Sequence, residues 1–257
     1  MAKLEGPRPQ GHPCWMDLSV PDVKSAAAFY AGVFGWDYAV SGPEFGHYHQ
    51  AKVDGRAVAG LGQPMGGDAP PPAWTIYFAA TDVDAMSAHA KDLGGSVVVP
   101  VMEVPGLGRM AIVTDPTGAA FGLWEAIAHE GFGIDDAAGT LTWIEVNTPD
   151  AHASRAFYQA LLDADAEPFD RIGSTYFSLQ KDGEWIGGIL QTNEQREGVP
   201  AHWLPYIRVD DADAAVAAIR SEGGTLAHGP FDTSFGRVAV GADPFGAHFS
   251  VLQPPPA

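Results

Sequence analysis

The second half of this chain repeats the first, displaced by about 128 residues. WMDLSVPD at 15–22 returns as WIEVNTPD at 143–150. Phe29 and Tyr30 return as Phe157 and Tyr158, Asp54-Gly55 as Asp182-Gly183, and Trp74 and Tyr77 as Trp203 and Tyr206. Gly108-Arg109 returns as Gly236-Arg237, and Asp115-Pro116 as Asp243-Pro244. A repeat this long means two copies of one domain, so any fold proposed for the chain must be one that duplicates. It also supplies an internal comparison. What the copies share belongs to the fold; where they differ, function has room.

Each copy itself splits into two units of one grammar. In the first, residues 15–20 alternate as a strand and Asp22 stands as an N-cap. Val23, Ala26, Ala27, Tyr30, Val33 and Phe34 follow at helical spacing up to Gly35, which ends the helix. Strands are expected at 36–40, 45–53 and 57–63, with Asp54-Gly55 as a hairpin turn. A Gly/Pro-rich loop at 66–73 leads to the second unit: a strand at 74–80, a helix capped by Asp82 or Asp84, and three more strands. The expected architecture is α+β: four βαβββ modules in two tandem domains, 10–127 and 140–254, joined by a linker at 128–139. Their curled mixed sheets form cups with the helices outside.

The composition narrows the function. Thirty-two acidic and 14 basic residues give a net charge of −18, which repels nucleic acid and anionic lipid. No run approaches the roughly 20 apolar residues of a membrane span, and no apolar segment at the N-terminus reads as a signal peptide. The single cysteine, Cys14, rules out an intramolecular disulfide and fits a reducing, cytoplasmic setting. There is no Walker motif and no dinucleotide-binding glycine fingerprint. The expected partner is a small molecule, bound by a monomer or homodimer.

Strand side chains alternate faces, so the helix-free face can be read off. On the first strand Met16, Leu18 and Val20 pack on the helices; Trp15, Asp17 and Ser19 face the cup. The copy puts Trp143, Glu145 and Asn147 there. Tyr77 and Trp124 join the first cup; Tyr206, Arg208 and His248 join the second. Two catalytic pairings follow. If each half closes its own cup, Glu145 meets His248; if the halves exchange modules, Asp17 does. Imidazole beside carboxylate is an acid–base arrangement, with Tyr206 as a further proton donor. His248 has Ala120 as its counterpart, so only one cup carries the imidazole. Trp15, Trp143, Tyr77 and Trp124 are expected to stack on a flat ligand, with Arg208 and His49 as polar contacts. His47 and His49 share a strand face and Tyr48 takes the other. Arg109 and Arg237 recur and are expected to pair with the turn aspartates or to clamp an anion. His202 reads as a loop residue, and Cys14 lacks a partner for nucleophilic chemistry.

The strand–Pro-Asp–helix–Phe-Tyr segment, the Asp-Val-Asp-Ala helix start at 82–85, and the Asp-Pro-x-Gly turns at 115–118 and 243–246 resemble the vicinal oxygen chelate superfamily. This group includes glyoxalase I, extradiol dioxygenases and bleomycin-binding proteins, and the resemblance covers roughly 14–127 and 141–253. It implies two glyoxalase-like domains. The metal positions the resemblance implies fall on Trp15, Thr75 and Gly122, and on Trp143, Leu204 and Ser250. None suits a divalent metal in this family's manner, so no metal or other cofactor is expected. The expectation is a metal-independent enzyme of isomerase, lyase or hydratase type acting on a small aromatic or polyfunctional metabolite. The alternatives are a drug- or metabolite-sequestering protein and a metalloenzyme with relocated ligands.

Overall fold

The computed structural model describes residues 2–4, 6–64, 71–169, 174–192 and 199–256. A short strand, β1 (Ala2–Lys3), precedes the first half. That half runs β2 (Pro13–Ser19), α1 (Val23–Phe34), β3 (Asp37–Val40), β4 (His49–Val53), β5 (Arg56–Gly62), β6 (Trp74–Ala79), α2 (Val83–Asp92), β7 (Ser96–Val104), β8 (Gly108–Thr114) and β9 (Ala120–Ala126). A linker strand, β10 (Ile134–Asp135), pairs with β1. The second half runs β11 (Leu141–Thr148), α3 (Ala151–Leu162), β12 (Asp165–Pro168), β13 (Tyr176–Lys181), β14 (Glu184–Gln191), β15 (His202–Arg208), α4 (Ala212–Ser221), β16 (Thr225–Thr233), β17 (Gly236–Ala242) and β18 (His248–Gln253).

Local chemistry sets these boundaries. Asp22 accepts the Ser25 N–H at 3.1 Å, and Asp82, Asp150 and Asp211 cap α2, α3 and α4 likewise. The hairpin after β4 needs positive φ at both turn residues, met by Asp54 and Gly55 at 49° and 72°. Its copy has 52° and 83° at Asp182 and Gly183. One expected strand is shorter than 45–53. Residues Pro43–Phe45 form a 3-10 turn, Gly46 and His47 take φ of 62° and 56°, and β4 begins only at His49. His47 and His49 therefore do not share a strand face. Most of the Gly/Pro loop at 66–73 lies outside the described residues.

Each half builds one sheet from its own two modules. The order is β3-β4-β5-β2-β6-β9-β8-β7 in the first and β12-β13-β14-β11-β15-β18-β17-β16 in the second. β2 runs parallel to β5 and antiparallel to β6, as β11 does to β14 and β15. Strands are not exchanged between halves, so each half curls around its own cup.

The helices lie outside both cups, between the two sheets. α1 packs on α4 and α2 on α3. The Tyr30 hydroxyl crosses from the first half to donate to Asp243 Oδ2 at 3.1 Å, and Ser154 Oγ crosses back to Asp115 Oδ2 at 2.9 Å. Phe78 meets Trp203 edge-on at 5.4 Å. Most buried apolar side chains of both halves thus form one continuous core, while Cys14, Trp15, Tyr77, Ala79, Met110 and Trp124 form a second cluster in the first half.

Candidate functional site

The cup faces hold the same four-residue arrangement twice. In the first half the Trp15 indole N–H donates to the Tyr48 hydroxyl at 2.9 Å. The Tyr77 hydroxyl donates to Asp17, 3.3 and 3.2 Å from Oδ1 and Oδ2, and Tyr48 also hydrogen-bonds this carboxylate. In the second half the Trp143 indole N–H donates to the Tyr176 hydroxyl at 3.1 Å. The Tyr206 hydroxyl donates to Glu145 Oε1 at 3.1 Å, Asn147 Nδ2 lies 3.4 Å from the same oxygen, and Tyr176 hydrogen-bonds Glu145 as well. Each cup floor is therefore a carboxylate between two phenols, one of them held by an indole.

Burial dominates the electrostatics of the first cluster. It pushes the Asp17 carboxyl up to about 7, against the opposing pull of hydrogen bonds from Tyr77 and Tyr48. It also holds both phenols well above their ordinary range, with the Asp17 charge adding to the effect. At neutral pH the phenols are therefore donors, and burial favours the protonated form of this carboxyl more than that of an ordinary aspartate.

The two cups differ in where solvent reaches them. Along β2, Trp15 is buried, Asp17 partly exposed and Ser19 exposed. Along β11 the gradient reverses: Trp143 is partly exposed, and Glu145 and Asn147 are buried. The linker explains the first case. His129 sits edge-on to Trp15 at 4.4 Å, Phe132 lies 5.6 Å away, and the Trp124 indole N–H donates to the His129 carbonyl at 2.8 Å. Burial pulls the His129 imidazole down to about 4, so it covers the indole as a neutral ring.

Asp17, Glu145, Tyr77, Tyr206, Trp15 and Trp143 thus stand where the strand alternation put them, in two clusters. The other expected residues stand apart. His248 is the exposed first residue of β18, opposite Ala242, while the parallel register sets Ser250 opposite Tyr206. Glu145 is buried while His248 is exposed, and Asp17 lies in the sheet of the other half from His248. His49 pairs with core residue Leu61, on the helix face rather than in the cup, and its Nδ1 lies 2.7 Å from the His47 carbonyl. Trp15 and Trp124 are covered by the linker and offer no open stacking wall. Arg208 forms an ion pair with Asp136 of the linker. Arg109 and Arg237 bond to Asp84 and Asp213 in the first turns of α2 and α4, not to the Asp-Pro turns. Cys14 is buried, which raises its thiol far above the reactive range.

Strand alternation sets Tyr48 opposite His47 and His49 but assigns neither it nor Tyr176 a place in the site. A paired signal was present. Tyr recurs at an offset of 128, and so does a glycine on the neighbouring strand, Gly60 and Gly188. A Cβ on Gly60 would lie 1.5 Å from the Tyr48 hydroxyl, and one on Gly188 would lie 1.8 Å from that of Tyr176. Only glycine leaves room for the phenols.

The metal positions implied by the resemblance do not fit a metal. The Trp15 and Trp143 indoles are donors without a lone pair to give, and both are engaged with phenols. A Cβ at Gly122 would fall 2.1 Å from Tyr77 Cδ1, so the ring occupies the space a carboxylate ligand needs. Among the described residues no three His, Cys, Asp or Glu side chains converge. No described helix is long and apolar enough to cross a membrane.

Two family models match the chain. That of the glyoxalase/bleomycin resistance protein/dioxygenase superfamily matches residues 12–123, and that of the glyoxalase-like domain matches 143–252. A putative glyoxylase, CFP32, of Mycobacterium tuberculosis is 40% identical over 255 residues, covering 96% of each chain. The anthracycline biosynthesis protein DnrV of Streptomyces peucetius is 37% identical over 262 residues, covering 95% of this chain and 93% of its own. Among solved structures, the Mn(II)-bound glyoxalase from Novosphingobium aromaticivorans aligns with a TM-score of 0.63 at 20% identity, over 94% of this chain and 82% of that one. At that identity the likeness is one of fold.

Proposed function

The chain belongs to the glyoxalase/bleomycin resistance protein/dioxygenase superfamily, and on that premise we propose that it moves protons on a small polyfunctional aromatic metabolite without a metal at the family's ligand positions. The observation that carries this reading is Asp17. Its carboxyl, pushed to about 7, lies between two phenols at the accessible end of a cup. A carboxylate of that basicity abstracts a proton from an activated C–H or O–H, and its acid form returns it to another atom. Tyr77 and Tyr48, held as donors, stabilise the ionised form between the two steps. This is the chemistry of an isomerase, lyase or hydratase. Glu145, Tyr206 and Tyr176 repeat the arrangement in the second half. The Streptomyces relative named for anthracycline biosynthesis supports a hydroxylated, fused-ring substrate class. The lone buried thiol supports a cytoplasmic setting.

The test needs no named product. The protein is incubated in D2O with a panel of hydroxylated aromatic ketones, and C–H exchange is followed by NMR. The expected result is exchange with a pH midpoint near 7, lost by about 100-fold or more in Asp17→Asn while binding persists. Binding without exchange in the unmodified protein would favour sequestration. Exchange that requires a stoichiometric bound metal would overturn the metal-free reading.

A further inference from the structure

The linker does something for the first half that no described segment does for the second. Phe132 N–H donates to the Cys14 carbonyl at 2.9 Å, and Gly133 N–H to the Ala57 carbonyl at 2.8 Å. Two backbone donors thus bridge the starts of β2 and β5, beside the rings that cover Trp15. At the repeat offset the counterparts of Cys14, Ala57 and Trp15 are Thr142, Trp185 and Trp143. Among the described residues no linker or loop N–H is bonded to the carbonyl of Thr142 or Trp185. All three residues instead line a cavity of about 250 Å³ at the seam between the halves.

The cavity wall has unmet polar demand. Arg8 Nε and Asp135 Oδ1 both line it as buried atoms without a hydrogen-bond partner. A buried orphan of this kind is unfavourable unless something fills its place. Trp185, 56% exposed, and Phe132 both line it. Charge narrows the occupant. Among the described residues, Asp135, Asp136 and Glu184 line the cavity against a single cation, Arg8, which Glu184 already engages at 3.1 Å. An anionic ligand is disfavoured, and a donor-bearing one suits two backbone carbonyls and an orphaned carboxylate oxygen.

We infer that this seam cavity binds a flat aromatic compound bearing hydroxyl or amino groups, which supplies to the second half the ring and the hydrogen-bond donors that the linker supplies to the first. A hydroxyl also accepts, which meets Arg8 Nε. The inference rests on the comparison of the two halves and not on proton transfer at Asp17, so the two readings fail separately.

The test is a calorimetric titration of the full chain with three probes: dihydroxynaphthalene, dimethoxynaphthalene and naphthalene disulfonate. Dihydroxynaphthalene is expected to bind at one site. The dimethoxy compound, which cannot donate, should bind at least about tenfold more weakly, and the disulfonate not measurably. Trp185→Ala removes an exposed lining residue and should weaken the diol about tenfold with an unchanged circular dichroism spectrum. Equal affinity for diol and diether, or undiminished affinity in Trp185→Ala, would overturn the inference. An NMR titration of the Asp17 carboxyl, run on both proteins, reports on the catalytic reading independently. Loss of the seam site leaves its midpoint near 7 in place.

Discussion

Asp17 shows what desolvating one carboxyl does to the energetics of the chain. Its folded value of about 7 lies above the ordinary 3.8, so the folded state holds this proton more tightly than the unfolded chain does. The stability it contributes is fully present below pH 3.8, is lost as pH rises through about 7, and changes no further above that. Asp17→Asn cannot ionise and should escape the loss. Urea unfolding at pH 4 and pH 8 should show the variant gaining on the unmodified protein with rising pH, by up to about 4 kcal/mol. Parallel pH dependence in the two proteins would show that the carboxyl is not desolvated.

Elements place the phenols that make this carboxyl unusual. Tyr48 and Tyr176 precede or open β4 and β13, and each lies over a glycine of the adjacent strand, β5 or β14. Gly60→Ala would drive a methyl group into the Tyr48 hydroxyl, whose position is fixed by the Trp15 indole. The expected cost is about 1–3 kcal/mol, with a changed near-ultraviolet circular dichroism signal as Trp15 loses its acceptor. Gly188→Ala should do the same through Tyr176 and Trp143. If either variant unfolds at the parent denaturant midpoint, the phenol is not seated as described.

At the scale of the molecule, the two domains share one core. Helices of each half lie between the sheets, and Tyr30 and Ser154 reach across to Asp243 and Asp115. Burial already raises the Asp243 carboxyl, so removing a donor there is costly. Tyr30→Phe should destabilise the whole chain by about 1–3 kcal/mol. Calorimetry should show one unfolding transition whose van't Hoff and calorimetric enthalpies agree. Two separate transitions would mean that the halves fold as independent units.

The repeat and the strand alternation by themselves determined the four modules, the helix-facing residues and the pairing of Trp, carboxylate and Tyr on each cup face. Those are properties of neighbours along one strand or helix, and periodicity records them. The positions of His248 and His49 were not legible in the same way. Whether a strand begins at 45 or at 49 depends on two left-handed residues, Gly46 and His47. That His248 is exposed while Glu145 is buried depends on what packs over the end of each strand. The linker was legible as a linker, but not as the cover of Trp15. That contact joins residues 114 positions apart (129 − 15), and no local pattern encodes it. Only the tertiary structure decided that two cups built alike are reached by solvent from opposite ends, because it alone shows what packs over each.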